Sequence, residues 1–567
     1  MPLYVLGIDM NDVSTSACLV RDGQLAAGAQ EERFNREKKT RRFPVQAVDW
    51  CLKSAGLELE DLDAVAVPVN PAIYLETLNP SHYERARFRG ELLYSPLNFL
   101  LGAYGGMAGG ASRLEVQLDN GGTLEVHYIR HHDAHAASAF YLSPFDDAAV
   151  FTADAFGEKD CMAWYHADGN NIARIRATEF PYSAGCFYAA ITEYLGFRPF
   201  RDEWKVMGAG AFGDADRYQA EMDQLIWVGE DGAVGMNLDY FRHHLFHRPG
   251  LFTEKLATLL GSPYKSGEET DERFFDIAAA AQQKLEQVII DLLKSFRIES
   301  GKNNLCYAGG LAMNCALNGK IESETGFEKV FIPPLPDDSG TSAGAALAVS
   351  RLLDPGESVT PMIHNSIGPG YSDAEILETL DLAGVRYRRA DDPAKEAARL
   401  IASGRIVAWF QDGMEFGERA LGSRSILADP RDIEMKDRIT DRVKFREPFR
   451  PFAPAVLVEH QSEWFESDEP VCFMEKTVKV REEMAGRIPA VVHEDGTARL
   501  QSVSEESNPL FHELIQEFHR LSGTPMVLNT SFNLRGEPIV MTPHDALRTF
   551  FSCGIHHLVI GSFVVGK

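Results

Sequence analysis

Two histidines, His131 and His135, lie four positions apart in the alanine-rich stretch HHDAHAASAF. On a helix this spacing places both imidazoles on one face. Together with carboxylates from neighbouring loops, such a pair forms a site suited to iron, manganese or zinc. A helix with two solvent-facing imidazoles has the same spacing, so the pattern alone leaves both interpretations open. His132 lies roughly 100° around the helix and is not expected on that face.

Two acids are placed to complete such a site. Asp154 ends the apolar strand AAVFTAD, and Asp338 lies in the loop of FIPPLPDDSGTSAGAALAV, before a predicted helix. Carboxylates after strands are common metal ligands in α/β folds, and they combine well with imidazole. The residues therefore predict a metal site built from His131, His135, Asp154 and Asp338.

Cations are concentrated in two nearby stretches, FGERALGSRSILADPR and RVKFREPFRPFAPAV, in a chain whose formal net charge is −27. Guanidinium groups placed among Phe, Pro and Gly are typical of a partly buried pocket for a multiply charged anion, because Arg binds phosphate or carboxylate oxygens two at a time. A structural ion-pair network is the alternative. The cations in question are Arg419, Arg424, Arg431, Lys444, Arg446 and Arg450.

A third polar stretch, TPMVLNTSFNLRGEP, is an apolar strand running into amides and hydroxyls. Asn529, Thr530, Ser531 and Asn533 are residue types that bind oxyanions or phosphates, but they also form turns. Arg499 in HEDGTARLQSV has a similar setting. In LCYAGGLAMNCALNGKI, glycines fall where a strand passes into a helix, which exposes backbone N–H groups suited to phosphate or adenosine.

The elements that must position these residues read as a duplication. YVLGID is an apolar strand ending in an acid, and a hairpin around Asp22-Gly23 follows it. AAVFTAD repeats the pattern before a hairpin around Asp168-Gly169. The repeat predicts the architecture of actin, sugar kinases and heat-shock proteins, in which two related α/β halves face a nucleotide cleft. Two unrelated hairpins are the alternative.

The chain is too long for one core, so two or more domains are expected. The Pro-, Gly- and Ser-rich stretch DPGESVTPMIHNSIGPGYSD predicts a linker. We place a first domain at 1–355, the linker at 356–373 and a second α/β domain at 374–567. The loop Asn70–Gly106, with its aromatics and arginines, is predicted to form a small-molecule pocket or a dimer face.

Composition excludes several classes of protein. The eight cysteines include no CxxC pair, which argues against zinc ribbons, thioredoxin-like redox chemistry and a disulfide framework. An excess of 83 acidic over 56 basic residues opposes a nucleic-acid partner. The sequence has no apolar run of about 18 residues and no signal-peptide pattern at MPLYVLGIDM, so we expect a cytoplasmic protein without a membrane partner.

Eight motifs together carry a resemblance: EERFNR, HHDAHAASAF, EWKVMGAGAFG, AGGLAMNCALN, DDSGTSAG, GERALGSRSIL, VKFREPFRPFAPA and VLNTSFN. In this order, over nearly the whole chain, they resemble the NodU/CmcH carbamoyltransferases, which include nodulation-factor, cephem and aminoglycoside O-carbamoyltransferases. The resemblance implies a TsaD-like domain of actin-like fold at 1–355 and a YrdC-like domain at 374–567.

The resemblance also implies a reaction. The YrdC-like domain would make carbamoyl adenylate from carbamoyl phosphate and ATP with Mg²⁺, and the TsaD-like domain would pass the carbamoyl group to a hydroxyl of a small secondary-metabolite acceptor, as in antibiotic biosynthesis. Iron is the metal it implies, with manganese or zinc as alternatives. The implied roles are carbamoyl phosphate binding by Arg419, Arg450, Arg499, Asn529 and Ser531, contact with ATP phosphates by Arg424, Lys444 and Thr530, metal binding by His131, His135, Asp154 and Asp338, and contact with the adenylate by Lys205, Gly309, Gly310 and Asn314.

One position departs from the family pattern. The first cleft loop of the family carries a His-Asp pair, whereas this chain reads NDVSTSA, with Asn11 in place of the histidine and Asp12 after it. An amide is a poor acceptor for the proton of an attacking hydroxyl. Either Asp12 or another residue acts as the base, or the acceptor is an amine.

Three other functions compete with this interpretation. A tRNA threonylcarbamoyl-modifying enzyme uses related domains, but the acidic surface opposes it. A hydrogenase-maturation carbamoyltransferase of the HypF type would add an acylphosphatase module and CxxC zinc fingers, and the sequence has neither. A non-catalytic nucleotide-binding regulator is supported by Asn11 alone.

Overall fold

The structure is a computed structural model in which residues 2–10, 14–70, 111–230, 232–245, 249–356 and 360–567 are described. Asn11 and Asp12 lie outside these residues, as does nearly all of the predicted acceptor loop Asn70–Gly106. Among the described residues, no helix combines the length and the apolar character needed to cross a membrane.

The chain divides into two compact units. The first contains Met1–Ala26 and Cys51–Pro361, and the second contains Ala27–Trp50 and Met362–Lys567. The short N-terminal segment 27–50 therefore belongs with the C-terminal part of the chain, which the sequence did not predict. The linker at 356–373 and the assignment of the parts to TsaD-like and YrdC-like domains remain predictions.

The first sheet begins with the predicted strand and hairpin. β1 pairs antiparallel with β2 and parallel with β4, and β4 is parallel to β6. Asp22 and Gly23 have φ values of 47° and 70°, the left-handed turn that matches the twist of a two-residue hairpin. The sheet order is β3-β2-β1-β4-β6-β5. The strands are β1 Tyr4–Asp9, β2 Ser16–Arg21, β3 Gln24–Gln30, β4 Ala64–Val67, β5 Ala111–Gln117 and β6 Thr123–Ile129.

A second sheet repeats this connectivity. β7 pairs antiparallel with β8 and parallel with β12, which in turn is parallel to β13. The order β13-β12-β7-β8-β9 therefore matches β6-β4-β1-β2-β3 of the first sheet, and the predicted duplication of α/β halves is confirmed. The strands are β7 Asp147–Gly157, β8 Asp160–Asp168, β9 Asn171–Glu179, β10 Ile226–Val228, β11 Val234–Met236, β12 Asn304–Ala308 and β13 Lys329–Phe331, of which β10 and β11 form a separate hairpin.

Small residues let the helices of the first unit approach closely. The helix that carries the two histidines packs on the helix of TSAGAALAVSRLL, and a Cβ added at Gly344 would lie 1.9 Å from the carbonyl oxygen of Ala134. Only glycine permits that approach. In chain order, the helices as far as residue 353 are α1 Glu32–Asn35, α2 Val45–Ala55, α3 His131–Tyr141, α4 Ala184–Tyr194, α5 Glu203–Gly210, α6 Gln219–Met222, α7 Glu254–Leu260, α8 Glu272–Ser300, α9 Cys315–Thr325 and α10 Thr341–Leu353.

The second unit is built on one sheet of order β14-β23-β22-β15-β16-β21-β17-β20. Successive side chains of β15 alternate between two apolar clusters, so the sheet is covered on both faces. The predicted α/β fold class is thus confirmed here too. The strands are β14 Tyr387–Arg389, β15 Val407–Phe410, β16 Arg424–Ala428, β17 Ala453–Leu457, β18 Thr477–Lys479, β19 Thr497–Arg499, β20 Gln501–Val503, β21 Met526–Ser531, β22 His557–Ile560 and β23 Phe563–Gly566, of which β18 and β19 form a separate two-stranded sheet.

The longer helices of this unit begin at side-chain caps. Asp392, Asn508 and Thr542 each accept a hydrogen bond from a first-turn N–H, and each is followed by a proline, whose fixed φ suits the first helical position. The helices are α11 Asp373–Leu382, α12 Pro393–Ala402, α13 Met435–Ile439, α14 Gln461–Trp464, α15 Glu482–Ala485, α16 Pro509–Ser522 and α17 Pro543–Phe551.

Candidate functional sites

The predicted metal ligands of the first unit lie together. His131 begins α3, His135 is one turn further along, and Asp154 lies near the end of β7. Asp338 begins the short 3₁₀ turn before α10. The four residues His131, His135, Asp154 and Asp338 each offer one ligand atom, and these atoms lie within 4.8 Å of one another.

The distances describe a compact group of polar atoms. The two imidazole Nε2 atoms are 3.1 Å apart. His135 Nε2 is 3.3 Å from Asp154 Oδ2 and 3.6 Å from Asp338 Oδ1. His131 Nε2 lies 3.6 Å and 3.5 Å from the same two oxygens. Two nitrogens and two carboxylate oxygens that converge in this way fit the donor set of a transition metal, without selecting among iron, manganese and zinc.

In this group of four residues, the acids and the imidazoles shift one another's pKa values. Burial alone disfavours the charged imidazole, but hydrogen bonds to Asp154 and Asp338 outweigh it and raise the pKa of His135 to about 9. The pKa of His131 is also raised, since its two acidic neighbours outweigh burial and the charge of His135. Burial raises the pKa of Asp154, but hydrogen bonds from both imidazoles hold it well below the ordinary value.

Neighbouring residues orient the histidine helix. A Cβ added at Gly157 would lie 2.2 Å from the His131 ring, and Glu158 accepts a hydrogen bond from the His131 backbone N–H at 3.4 Å. His132 turns away from the cluster, with Nδ1 2.8 Å from Thr152 Oγ1. The helical rotation predicted this separation of His132 from the other two imidazoles.

The residues predicted to contact the adenylate lie in the turn before α9 and on α5. Gly309 has φ of +100°, and a Cβ there would lie 2.2 Å from the Ala153 carbonyl oxygen, so only glycine suits the position. The N–H of Gly310 donates to Asp154 Oδ2 at 3.1 Å, which places this turn directly against a predicted metal ligand. Asn314 caps α9 and exchanges hydrogen bonds with Gln282. Lys205 on α5 pairs with Asp202 at 3.2 Å.

In the second unit, a group of cations converges. We call Lys444, Arg446, Arg450 and Arg499 the cation cluster. Burial lowers the pKa of Lys444 well below its ordinary value, and the charges of Arg446 and Arg450 lower it further. Burial, followed by the charge of Arg499, lowers the pKa of Arg446 to about 9. Mutual repulsion of this kind requires the charged groups to be close together.

The acid Glu447 lies beside the cluster. Glu447 lies 3.7 Å from Arg450 and partly offsets the charge of Arg446. Arg419, in the loop before β16, is half-buried, and its guanidinium makes no hydrogen bond or ion pair with any residue that the structure describes. Like charges that repel when the protein is alone are stabilised when a polyanion binds.

Two of the predicted polar residues share one face of β21. Asn529 and Ser531 are two residues apart, so their side chains point the same way, and Thr530 between them points to the opposite face. The Asn529 amide donates to the Ala420 carbonyl at 3.1 Å and to Gln501 at 2.8 Å. Since Ala420 follows Arg419 and Gln501 lies two residues after Arg499, Asn529 joins the segments that carry these two cations.

The Lys444 side chain lies against the end of β21 and the turn that follows it. Its Nζ donates to Ser531 Oγ at 3.3 Å and to Asn533 Oδ1 at 3.0 Å, as well as to the backbone carbonyls of both residues. The ammonium therefore fixes the turn after β21 as well as adding positive charge.

Arg424 is arranged differently from the other cations. It is fully buried, and its guanidinium stacks 3.7 Å from the Phe410 ring centroid. Its terminal nitrogens donate to the backbone carbonyls of Pro369 at 3.0 Å and Asp412 at 3.2 Å. Burial lowers the pKa of Arg424 to about 10. The predicted contact of Arg424 with ATP phosphates finds no support in this position.

Sequence reasoning missed one contributor to the cation cluster. Lys38, in segment 27–50, adds positive charge that lowers the pKa of Lys444. The segment is tied to its unit by Lys39, 3.2 Å from Glu418, and by Arg36, which donates to the carbonyls of Pro538 and Ile539 at 2.8 Å and 2.7 Å. The two lysines follow the motif EERFNR, but about 400 residues separate them from the cluster.

Comparison with known proteins gives the family. The family models described as "Carbamoyltransferase N-terminus" and "Carbamoyltransferase C-terminus" match residues 4–347 and 398–567. The chain is 35% identical to "Nodulation protein NolNO" of Sinorhizobium fredii, over 97% of this chain and 78% of that protein. It is 38% identical to "Nodulation protein NolO" of Bradyrhizobium diazoefficiens, over 77% of this chain and 79% of that protein.

Among solved structures, the chain is similar to the activator of the 2-hydroxyisocaproyl-CoA dehydratase from Clostridium difficile with bound ADPNP. The match covers 62% of this chain and 96% of that one, at 14% identity. Its TM-score of 0.33 is too low to support an inference. The sequence matches, by contrast, span both units, and they confirm the resemblance drawn from the eight motifs. The chain belongs to the carbamoyltransferase family, and the protein is an enzyme of that family.

Proposed function

We propose that this carbamoyltransferase works in two half-reactions, one in each unit. The second unit makes carbamoyl adenylate from carbamoyl phosphate and MgATP and releases phosphate and pyrophosphate. The first unit passes the carbamoyl group to a hydroxyl of a small-molecule acceptor, and AMP leaves. Because both phosphate and pyrophosphate are released, atom balance requires one water: it cleaves phosphate from carbamoyl phosphate, and a carbamate oxygen then attacks the α-phosphorus of ATP and displaces pyrophosphate.

The observation that carries this proposal is the cation cluster. In an acidic protein, Arg446 and Arg450 lie close enough to Lys444 to lower its pKa, and Arg499 lies close enough to Arg446 to do the same. Burying like charges together costs free energy unless an anion repays it. ATP and carbamoyl phosphate are anions that could balance this positive charge.

Each polar group has a role in this scheme. Arg419, Arg450 and Arg499 would bind the phosphate oxygens of carbamoyl phosphate and stabilise the charge that develops as phosphate leaves. Asn529 and Ser531 would contact the same substrate, on the face of β21 that the Ala420 carbonyl and Gln501 hold in place. Lys444 would offset the triphosphate charge, and its contacts with Ser531 and Asn533 keep that end of the strand fixed.

In the first unit, His131, His135, Asp154 and Asp338 would hold the metal, for which iron is our proposal. A bound cation supplies Lewis-acid stabilisation of phosphate oxygens. The Gly310 N–H, which donates to Asp154, keeps one ligand carboxylate in place. Gly309, Asn314 and Lys205 are assigned to the adenylate, on the ground that backbone N–H groups and an ammonium suit the phosphate and ribose of a nucleotide.

The acceptor half-reaction needs a base for a hydroxyl proton. Asp12 is our proposed base, because Asn11 cannot accept a proton usefully. An amine acceptor would need less assistance, so N-carbamoylation is the second outcome to test. Secondary-metabolite intermediates with free hydroxyls or amines are the proposed acceptor class, by extension from the nodulation proteins to which the chain is similar.

The test separates the two half-reactions. Purified protein with ATP, Mg²⁺ and carbamoyl phosphate should release pyrophosphate and form AMP only when carbamoyl phosphate is present. Mass spectrometry of a panel of hydroxylated and aminated intermediates should then find one compound that gains a single carbamoyl group. If pyrophosphate release does not depend on carbamoyl phosphate, the proposed activation step is wrong.

A further inference from the structure

Phe445 lies within the cation-rich stretch and has an unusual backbone. The chain forms a single π-helical turn at Thr440–Lys444, and Phe445 then takes φ of 48° and ψ of 51°, the left-handed region. Its N–H donates to the Thr440 carbonyl at 2.6 Å, and its own carbonyl accepts from Arg535 at 3.2 Å. Both backbone groups are thus held in place.

This conformation is costly for a bulky residue. A side chain in the left-handed region clashes with its own backbone, and such strain concentrates at functional sites, where the surrounding structure maintains it. Single-turn π-bulges have the same tendency. Here the strain does not serve the core, because Phe445 is 49% exposed.

Around Phe445, the pattern of buried and exposed side chains is the reverse of that on an ordinary surface. Lys444 on one side is buried at 5% exposure, and Arg446 on the other stacks its guanidinium 4.3 Å from the Phe452 ring centroid. An ordinary surface exposes its cations and buries its aromatic residues. At this turn the cations point inward and the aromatic ring faces solvent.

We propose that Phe445 is the platform on which the purine base of ATP stacks while the triphosphate meets the cation cluster. The inference rests on the proposed function for the presence of ATP at this unit. A ligand that suits both features must combine several negative charges with a flat apolar group, and a nucleoside triphosphate does so. Stacking on one aromatic face is also sequence-independent chemistry that any purine satisfies.

Calorimetry with two ligands tests the assignment. ATP carries the base, whereas inorganic tripolyphosphate carries only the charge. Phe445→Ala should weaken ATP binding by about 10- to 100-fold, the range expected for loss of one base–aromatic stack. Tripolyphosphate binding should stay within about twofold, because no cation of the cluster is changed. Phe445→Trp, which keeps an aromatic face, should bind ATP as tightly as the unsubstituted protein.

Two controls guard against an indirect effect on the loop. Phe445→Asn removes the ring but suits left-handed backbone, so it should behave as Phe445→Ala does even if alanine destabilises the turn. Tyr387→Ala removes an exposed aromatic residue from edge strand β14 of the same unit and should leave ATP binding unchanged.

The outcomes distinguish the inference from the proposed function. Equal loss of ATP and tripolyphosphate binding in Phe445→Asn, or no loss of either, would overturn the stacking role. So would unsubstituted protein that binds tripolyphosphate as tightly as ATP. Protein that binds ATP through Phe445 but releases no pyrophosphate with carbamoyl phosphate would retain the stacking assignment and refute the activation step.

Discussion

The histidine–aspartate cluster of the first unit, formed by His131, His135, Asp154 and Asp338, differs from the cation cluster of the second unit in how it groups buried charge. In the first, two imidazoles face two carboxylates, and the acids raise the pKa of both imidazoles. In the second, the charges of Arg446 and Arg450 lower the pKa of Lys444, and Glu447 partly offsets the charge of Arg446. The first cluster therefore brings opposite charges together, whereas the second groups like charges, whose repulsion a bound anion would relieve.

The largest effect should come from removing a cation that does no structural work. Arg419→Gln deletes a guanidinium without a partner among the described residues, so it should lower the rate of carbamoyl-phosphate-dependent pyrophosphate release by about 100- to 1000-fold, the effect of losing one oxyanion donor. Pyrophosphate assays measure this directly. Unfolding in urea should show no loss of stability, because one of several like charges is removed. An unchanged rate would refute the assignment of Arg419 to the substrate.

The second test asks whether the two half-reactions belong to different units. His135→Ala should reduce metal content and weaken metal binding by about 100-fold or more, because one of four ligands is lost. Carbamoyl-phosphate-dependent pyrophosphate release should continue, while transfer to an acceptor should fail. Elemental analysis and product mass spectrometry give the two readouts.

His132→Ala is the matched control for this variant, since it removes an imidazole one position outside the cluster that contacts Thr152. It should cost stability but keep the metal. Full metal content in His135→Ala would contradict the ligand assignment.

A third variant compares two arginines of the same unit. Arg424→Met should lower the free energy of unfolding by about 3 kcal/mol, because the carbonyls of Pro369 and Asp412 lose buried hydrogen bonds. Arg419→Met should lower it by less than about 0.5 kcal/mol. Urea titration of both variants measures the difference in the free energy of unfolding. An equal loss in both would show that the buried contacts of Arg424 add no more stability than the side chain of Arg419.

The smallest effect concerns the tie between segment 27–50 and its unit. Burial raises the pKa of Glu418, but Lys39, Arg33 and Lys38 outweigh it and lower this pKa from 4.5 to about 2. A carboxyl whose folded pKa is lowered contributes stability above its unfolded pKa and loses that contribution as the pH falls through the folded value. The contribution should therefore be full above about pH 5 and disappear between about pH 4.5 and 2.

Glu418→Gln tests this effect. It should cost about 1 kcal/mol at pH 7 and nothing at pH 2, so its stability curve should be flatter on the acid side. Thermal unfolding across pH 2–7 measures the slope. A parallel pair of curves would show that the carboxylate is not held by these lysines.

Several features followed from local patterns alone. The hairpin at Asp22-Gly23 was predictable because two adjacent residues specify the turn. The second hairpin forms as predicted, but Asp168 ends its strand and the turn is Gly169-Asn170, one residue after the predicted pair. The i, i+4 spacing of His131 and His135 placed them on one face of α3, since helical geometry requires it. The repeated strand and hairpin pattern likewise predicted the two related sheets, and the eight motifs predicted the family.

Other features depended on contacts between residues far apart in the chain. Composition could not show that Arg424 would be buried on Phe410 while Arg419 had no partner among the residues that the structure describes, because both occur in one stretch of similar character. Nor could it place Lys38 beside Lys444 or hold Phe445 in a left-handed turn with its ring exposed. Short-range rules specify what a residue can do, but burial and charge are sums over neighbours that only the folded chain brings together.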